Sequence, residues 1–462
     1  MAKKKVFIGI LIVMLVLSIT LLSACSGGDD GTAVNPEDTQ EPTEPSNTDS
    51  QTTEETPVEI RVAWWGDTTR HELYNQILDA FEAEYPNIKT IREPASWTDY
   101  WSKLTVQSAS GGAPDFMGMH PFYGSDYVQR GVIEPLDTFI EDGVIDVSNF
   151  PQSAVDSGKL NDIVYMIPMG ITIDALIVNN SMLKDLGVTT PKLDWTWDDL
   201  KVIGTETRTA LDAKGAKDSW LMDDMSGIYE MFRVWVRQNG RVDLYTQEGD
   251  IAYTEEDVEG WFTMWNDLRK SGIIPDAATA TEYANAALED TLLVRGKVAI
   301  RRAPANQYKM HCVALPEKEL IMVRHPSKPD GEVGEFIYGA HFAISSKTTP
   351  EKKLAAAKLI NFWVNDEDSI ELFRLDQGVP ANTKMVEFLT PLLDEQDKPT
   401  LDYVNKLMPI AKPIIFAPAG ATEVDSLFKT LADEVRFEEK TPGEAAAELI
   451  SKAQPILDSS KK

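Results

Sequence analysis

The sequence predicts an α/β fold divided into two lobes or domains, and three observations support this. Val58 to Trp65 alternates with period two, which indicates a strand, and residues 69–85 carry apolar side chains at helical spacing. An extended segment begins at Ile88, so the chain opens with the strand–helix–strand order typical of an α/β layer. The 406 residues from 57 to 462 are too many for one hydrophobic core.

Later segments continue the alternation of predicted strands and helices. Residues 100–110 have a helical pattern that ends at two glycines, and residues 116–119 form a short apolar run typical of a buried strand. Thr196 is placed to cap a helix that opens at Trp197, and Thr349-Pro350 opens another. Two more strands are predicted at 297–300 and 342–344. From about residue 384 the pattern is mostly helical, and no repeat of 20–50 residues occurs.

The N-terminus has the features of a secretory signal. Lys3, Lys4 and Lys5 precede an apolar run from Val6 to Leu22, and small residues lead to Cys25. This ending resembles the bacterial lipobox, which implies a signal peptide at 1–24 and a lipidated (palmitoylated) Cys25. The alternative is a transmembrane anchor, since a run of 17 residues is at the short end of the roughly 17–25 that span a bilayer. The cysteine and its small neighbours favour the lipoprotein.

The segment after Cys25 predicts a tether. Residues 26–56 contain nine acidic residues and no Lys, Arg or aromatic residue. Such a composition buries too little apolar area to offset the entropy of ordering, so residues 25–56 are predicted to be a disordered, acidic spacer. The spacer would hold a folded body away from a cell surface.

Charge and cysteine content exclude several classes of function. With 74 acidic against 44 basic residues, the net charge is −30, which argues against nucleic-acid binding and against broad adhesion to anionic lipid. The main consequence of this acidity is solubility. Cys312 is the other cysteine besides Cys25, and the histidines are scattered without HExxH spacing. We therefore expect no internal disulfide, no metal and no cofactor.

Eight short segments together resemble a known family. They are Trp64–Gly66, Phe81–Ile88, Ser110–Asp115, Gly131–Leu136, Tyr165–Pro168, Trp195–Leu200, Arg295–Ile300 and Gly378–Pro380. In this order and spacing, and with the lipobox, residues 57 to about 455 resemble the extracellular solute-binding proteins of ABC sugar importers (family 1).

The resemblance implies a two-lobed, periplasmic-binding-protein-like α/β fold (type II) whose lobes are joined by three hinge crossings near 171, 319 and 376. The N-terminal lobe would contain 57–171 and 320–375, and the C-terminal lobe 172–319 and 376–462. A carbohydrate, expected to be an oligosaccharide, would bind in the cleft between the lobes. The protein would be a monomer, lipid-anchored on the extracellular face of the cytoplasmic membrane of a Gram-positive bacterium. It would deliver its ligand to ABC transporter permease subunits without chemistry at the sugar.

A sugar site needs aromatic rings for the C–H faces of the sugar and polar side chains for its hydroxyls. Trp65 ends the first strand, where open α/β sheets bind ligands. Trp97 is predicted to lie in a loop. For three residues a role other than sugar binding stays open: Asp67 could cap a helix, Asp115 could make a structural hydrogen bond, and Asp223 could lie on a solvated face. The candidate sugar-binding residues are Trp65, Asp67, Trp97, Asp115, His120, Tyr123, Thr172, Asp174, Trp220, Asp223, Arg302, Asn306 and His341.

One departure from the family bears on the ligand. Relatives often carry Gly-Trp a few residues after the strand at 297–300, whereas this chain has Pro304-Ala305-Asn306-Gln307. The departure removes a stacking ring and leaves Arg301 and Arg302 nearby. It leads to the hypothesis of a polar ligand with a carboxylate that an arginine would bind in bidentate fashion.

Two other classes of function remain open from the sequence. A cell-surface glycoside hydrolase needs two carboxylates flanking the bond, and a pair such as Asp223 with Glu282 would serve. The sequence contains no GxSxG, P-loop or HExxH motif. A sugar-sensing module that presents its ligand to a membrane kinase would share the fold of a transporter subunit.

Overall fold

A computed structural model of the chain describes residues 57–460. The predicted signal peptide, Cys25 and the predicted tether lie outside the described residues. Within residues 57–460, no helix combines the length and the apolar character needed to cross a bilayer.

The structure contains strands and helices in close alternation. The strands are β1 Val58–Trp65, β2 Ile88–Ala95, β3 Phe116–Met119, β4 Lys159–Leu160, β5 Ile163–Val164, β6 Ile167–Pro168, β7 Thr172–Asn179, β8 Trp220–Met222, β9 Val298–Pro304, β10 Leu320–Val323, β11 Phe336–Tyr338, β12 His341–Ile344 and β13 Lys412–Pro413. The helices are α1 Thr68–Glu84, α2 Trp97–Ala109, α3 Pro121–Gln129, α4 Asp137–Glu141, α5 Gln152–Asp156, α6 Asn180–Leu186, α7 Trp197–Ala213, α8 Tyr229–Gln238, α9 Glu255–Lys270, α10 Ala277–Tyr283, α11 Tyr308–Ala314, α12 Pro350–Asn365, α13 Glu367–Phe373, α14 Thr383–Leu389, α15 Lys398–Leu407, α16 Ala421–Arg436 and α17 Pro442–Ser460.

The first lobe is built on a five-stranded sheet with the order β2-β1-β3-β12-β6. Strands β1, β2 and β3 run parallel, whereas β12 is antiparallel to β3 and β6. Helix α1 begins where the Asp67 side chain accepts a hydrogen bond from the Arg70 N–H. Its buried face is Tyr74, Ile77, Leu78 and Phe81, at the helical spacing that the sequence predicts.

The second lobe is built on a sheet with the order β13-β11-β7-β9-β8, and β10 also pairs with β7. Every residue of β7 is buried, as expected for a central strand covered on both faces. Helices α7, α8, α9, α16 and α17 share one apolar core. Helix α7 begins with a reciprocal capping box between Thr196 and Asp199, as its sequence predicts.

The chain passes between the two sheets at three places. Residues 169–171 connect β6 to β7, and residues 339–340 connect β11 to β12. The third place lies between α14 and α15: Thr383 still bonds to the Asn149 carbonyl of the first lobe, whereas Tyr403 bonds to the Asp174 carbonyl of the second. The crossing predicted near 376 was therefore placed too early in the chain. Before it, Val379 exchanges two backbone hydrogen bonds with Ile171, at 2.7 and 2.8 Å. Gly378 is next to it, with a φ of +122°, a conformation that side-chain-bearing residues rarely adopt.

The second crossing differs from the predicted one near 319. Strands β10 and β11 are both antiparallel to β7, with Leu320 opposite Asn179 and Ile337 opposite Ile173. Residues 320–338 therefore belong to the second sheet, and the prediction that placed them in the first lobe was wrong. Sequence pattern could not show this, because the choice of partner strand depends on long-range pairing.

Candidate functional site

Aromatic side chains collect where the parallel strands of the first sheet end. Trp65 ends β1, Trp97 and Trp101 lie on the helix that follows β2, and His120 and Tyr123 follow β3. The ring centre of Trp97 lies 5.1 Å from that of Trp65 and 5.8 Å from that of His120. The Trp101 and Tyr123 rings lie 4.2 Å apart. We call these five residues the aromatic wall.

The members of the aromatic wall differ in exposure. Trp97 is 42% exposed, while Trp65 is 6% exposed. The prediction that Trp97 lies in a loop was wrong: Ser96 accepts a hydrogen bond from the Asp99 N–H, which starts α2 at Trp97. Trp65 packs behind Trp97 and against Gly118, so Trp97 is the exposed ring of the wall, and Trp101, His120 and Tyr123 are partly buried.

His120 joins the aromatic wall to the next helix. Its Nδ1 accepts a hydrogen bond from the Phe122 N–H at 3.4 Å and so caps α3. Burial, followed by the effects of His341 and Arg233, lowers the pKa of His120 to about 3. The imidazole is therefore neutral at physiological pH.

The second lobe contacts the first beside this wall, at Phe122. The Phe122 ring lies parallel to Tyr338 of the second sheet, with ring centres 6.3 Å apart. The guanidinium carbon of Arg233, on α8, lies 5.5 Å from the Phe122 ring centre. Burial, then Asp425 on α16 and Glu230 on α8, raise the pKa of Tyr123. Arg233 and Tyr338 of the second lobe thus lie against the first lobe, and Glu230 and Asp425 are near enough to act on the pKa of Tyr123.

Asp174 and Arg302, two predicted site residues, are paired with each other. Arg302 donates to both carboxylate oxygens of Asp174, at 2.7 and 2.9 Å, and the Tyr338 hydroxyl donates to Asp174 at 2.5 Å. Burial alone would raise the pKa of Asp174, but Arg302 and His325 outweigh it and hold the pKa well below its ordinary value. Arg302 already has its bidentate partner, so a ligand carboxylate would have to displace Asp174.

Asp223 is paired with Arg301, the residue before Arg302. Arg301 donates to Asp223 at 2.8 Å, and both residues line a cavity of about 200 Å³ together with Ile228 and Tyr283. Burial raises the pKa of Asp223 against the opposing effect of Arg301. The structure thus gives both arginines of the acidic-ligand hypothesis an internal carboxylate, which removes the main support for that hypothesis.

Several predicted site residues have structural partners away from the aromatic wall. Asp67 caps α1, and Asp115 accepts from the Arg61 N–H at 2.8 Å. The His341 Nε2 hydrogen bonds with the Ser157 hydroxyl at 2.9 Å, and Asn306 donates to the Asp376 carbonyl at 3.0 Å. Trp220 packs in a small apolar cluster within the second lobe.

Thr172 begins β7 beside the first crossing. It is buried, and its hydroxyl has no hydrogen-bond partner within residues 57–460. The structure therefore brings together Trp65, Trp97, His120 and Tyr123 in one group and Asp174 with Arg302 in another. Two further predicted residues lie beside these groups: His341 is opposite Met119, next to His120, and Thr172 is opposite Tyr338, whose hydroxyl binds Asp174.

Glu230, Arg233 and Asp425 were missed at the level of sequence. Each lies on an amphipathic helix, where a charged residue ordinarily indicates a solvated face. With 74 acidic residues in the chain, two more carboxylates carry no signal of their own. Only the packing of α8 and α16 in the folded chain distinguishes these three residues from ordinary surface residues.

No set of three or more His, Cys, Asp or Glu side chains that could hold a metal ion occurs in the described part of the chain. Cys312, the cysteine within that part, is unpaired. The chemistry offered by the crevice is therefore stacking, hydrogen bonding and charge.

A family model described as "Bacterial extracellular solute-binding protein" matches residues 76–399. The chain belongs to this family. The family is one of binding proteins rather than enzymes. The match confirms the resemblance inferred from the sequence.

Among its relatives, this solute-binding protein is 25% identical over 262 residues to an uncharacterized ABC transporter extracellular-binding protein of Pyrococcus horikoshii, covering 54% of each chain. Two solved structures share its two-lobed α/β fold. An oligogalacturonide-binding protein of Yersinia enterocolitica, in complex with saturated digalacturonic acid, has a TM-score of 0.74 at 21% identity, covering 88% of this chain and all of that one. An ABC substrate-binding protein of Listeria monocytogenes, in complex with cycloalternan, has a TM-score of 0.71 at 20% identity, covering 86% and 98%.

Proposed function

We propose that this solute-binding protein is the lipid-anchored extracellular subunit of an ABC importer, and that it binds a carbohydrate in the interlobe crevice. The observation that carries the proposal is the aromatic wall: Trp97 presents an exposed ring and Tyr123 a partly buried one, and Arg233 and Tyr338 of the second lobe lie against the neighbouring Phe122. Rings stack on the apolar C–H faces of sugars, while carboxylates accept from their hydroxyls. The neighbours with oligosaccharides bound support the same ligand class.

The mechanism is reversible capture without chemistry at the sugar. The ligand first meets the rings of one lobe, and the lobes then close, because the closed form adds contacts from the second lobe. Three chain crossings join the lobes, which is the arrangement expected for a hinge. The closed form then docks on the permease subunits in the membrane and delivers the sugar.

Calorimetry on the purified protein tests the ligand class. A panel of oligosaccharides should include one that binds, that is recovered unchanged by chromatography, and that reduces the radius of gyration in small-angle scattering. Trp97→Ala or Tyr123→Ala should weaken that binding about fivefold or more, because each removes a stacking face worth about 1 kcal/mol or more.

Val106→Ala is the matched control, since Val106 is an exposed apolar residue on the same helix as Trp97. Trp65→Ala is unsuitable, because it would open a cavity behind the wall. Full affinity in both ring variants would refute the proposed site. Released products would indicate hydrolysis instead.

Two further experiments address the anchor and the transporter. Cys25→Ala should abolish incorporation of labelled palmitate and release the protein from membranes into the medium. Deletion of the gene should abolish uptake of the bound sugar by the bacterium. Membrane retention of the Cys25 variant would refute lipid anchoring, and unchanged uptake would favour sensing over import.

A further inference from the structure

The cavity beside Asp223 and Arg301 lies where β8 ends next to β9 in the second sheet. Its volume is about 200 Å³. Asp223 comes directly after Met222 of β8, and Arg301 follows Ile300 of β9, which is the parallel partner of Met222. The Asp223 N–H donates to the Ile300 carbonyl at 3.2 Å, which fixes the backbone at this point. The cavity is therefore on the carboxyl side of two parallel strands, where open α/β sheets bind ligands.

The same edge of the second sheet contacts the first lobe. Arg302, which also lines the cavity, is on β9, and Asn306 follows that strand. Asn306 donates to the Asp376 carbonyl at 3.0 Å, and the Asp376 carboxylate accepts from Arg70 on α1 of the first lobe at 2.6 Å. The strand that forms one wall of the cavity thus leads directly to the junction between the lobes.

The lining of the cavity has an apolar side. Tyr283, the last residue of α10, contributes a partly buried ring. The other apolar lining residues include Met225, Ile228, Pro275 and Leu292. Such a surface matches the C–H face of a sugar ring.

The polar side of the lining has hydrogen-bonding atoms that the protein leaves unused. Arg301 donates to Asp223 through Nη1, and Arg302 donates to Asp174 through Nε and Nη2. Within residues 57–460, the Arg301 Nε and Nη2, the Arg302 Nη1 and the Asp223 Oδ1 have no hydrogen-bond partner. Both donors and an acceptor are therefore available, as sugar hydroxyls require.

Every charged residue of the lining has an opposite charge in direct contact. The contacts join Arg301 to Asp223, Arg302 to Asp174, Asp224 to Arg269 and Arg436, and Arg436 also to Asp433. Four guanidinium groups are thus matched by four carboxylates. A ligand carboxylate or ammonium group would enter this cavity without a counter-charge, and desolvating an unpaired charge is costly.

We propose that this cavity binds one unit of the carbohydrate, and that this unit is a neutral sugar without a carboxylate or an ammonium group. Tyr283 and the apolar side pack against its C–H face, while Asp223 accepts from its hydroxyls and Arg301 donates to them. At about 200 Å³, the cavity is smaller than the roughly 300–1,000 Å³ of pockets that enclose a drug-sized ligand, so it suits one sugar unit rather than a chain. This inference rests on the proposed function and adds to it a site in the second lobe and a ligand class.

Calorimetry at pH 7.5 tests the ligand class with short oligosaccharides of three kinds. They are neutral glucans, galactans and mannans, then oligogalacturonides, and finally glucosamine oligosaccharides. We expect a neutral probe to bind at least about tenfold more tightly than any acidic or amino probe, because a charged unit finds no counter-charge in the cavity.

Equal or tighter binding of an acidic or amino probe would overturn the inference. If Trp97→Ala still weakens the binding of that probe, the proposed function stands. If no probe binds, the proposed function and the inference both fail.

Variants test the site itself. Tyr283→Ala should weaken binding of the neutral probe about fivefold, because it removes a packing face. The Asp223→Asn/Arg301→Met double variant removes both charges together, so that neither is left unpaired, and should weaken binding about tenfold. Glu282→Ala is the control, at an exposed position next to Tyr283 and outside the lining, and should change the affinity less than about twofold.

Melting temperatures report whether each variant is folded. If the double variant does not fold, Tyr283→Ala decides alone, since Tyr283 is only partly buried. Unchanged affinity in the folded variants would overturn the site in the second lobe. The proposed function would survive that result, because Trp97→Ala tests the aromatic wall separately.

Discussion

Asp425 offers a sharp test of how burial and a neighbouring carboxylate affect the stability of the second lobe. Burial, followed by Glu230, raises the pKa of Asp425 from 3.8 to about 6. A carboxyl whose pKa is higher in the folded than in the unfolded chain stabilises the fold below the unfolded pKa. That stability is lost as the pH rises through about 6. The wild-type protein therefore carries the full cost of the charge at pH 7.5 and almost none at pH 4.

The magnitude follows from the difference between the two pKa values. At about 1.4 kcal/mol per pH unit, the cost would be about 3 kcal/mol. Because Asp425 is partly exposed and Lys429 lies one helical turn away, we expect about 1–2 kcal/mol of this to be measurable. Asp425→Asn removes the charge with little change in volume.

Urea denaturation at pH 7.5 and pH 4 measures the effect. The Asn variant should be more stable than wild type by about 1–2 kcal/mol at pH 7.5, with the gain nearly absent at pH 4. Glu423→Gln, on the same helix and exposed, should show no gain at either pH. A variant that is less stable than wild type at pH 7.5, or that gains equally at both pH values, would refute the reasoning.

Two further perturbations test the interior of the second lobe and the crossings. Asp174→Asn should lower the free energy of unfolding by about 3 kcal/mol, because it leaves Arg302 without its bidentate partner. The carboxylate's pKa is depressed in the fold, so the loss should be complete above about pH 5 and should shrink below pH 4 in a urea series. Gly378→Ala should cost more than about 2 kcal/mol, because its Cβ would lie 2.6 Å from the Ile171 carbonyl oxygen. Gly143→Ala, at φ +72° in open space, should cost only about 1 kcal/mol, and equal melting temperatures for the two glycine variants would contradict the hinge packing.

Two features of the second lobe oppose its stability. Glu230 and Asp425 repel one another, and the Arg233 Nη1 is buried without an acceptor. Each of these features is unfavourable in the ligand-free protein.

Local patterns in the sequence determined the elements of the fold. The alternation of Val58 to Trp65 predicted β1, and the spacing of residues 69–85 predicted α1 within a residue at each end. The cap at Thr196 predicted the start of α7. These features depend on residues within a few positions of one another, so a single sequence contains them. The order of the family's short segments likewise identified the two-lobed α/β fold.

Only the tertiary structure decided which strands pair and which side chains meet. Residues 320–338 joined the second sheet because β7 offers them an antiparallel partner, which no local pattern records. Arg302 was a plausible ligand contact in the sequence, but 128 positions upstream the fold provides Asp174 as its partner. Glu230 and Asp425 are ordinary helix carboxylates until α8 and α16 bring them into one crevice. Contacts between residues that are distant in the sequence set the charge, burial and pKa values of a site. These contacts form only in the folded chain.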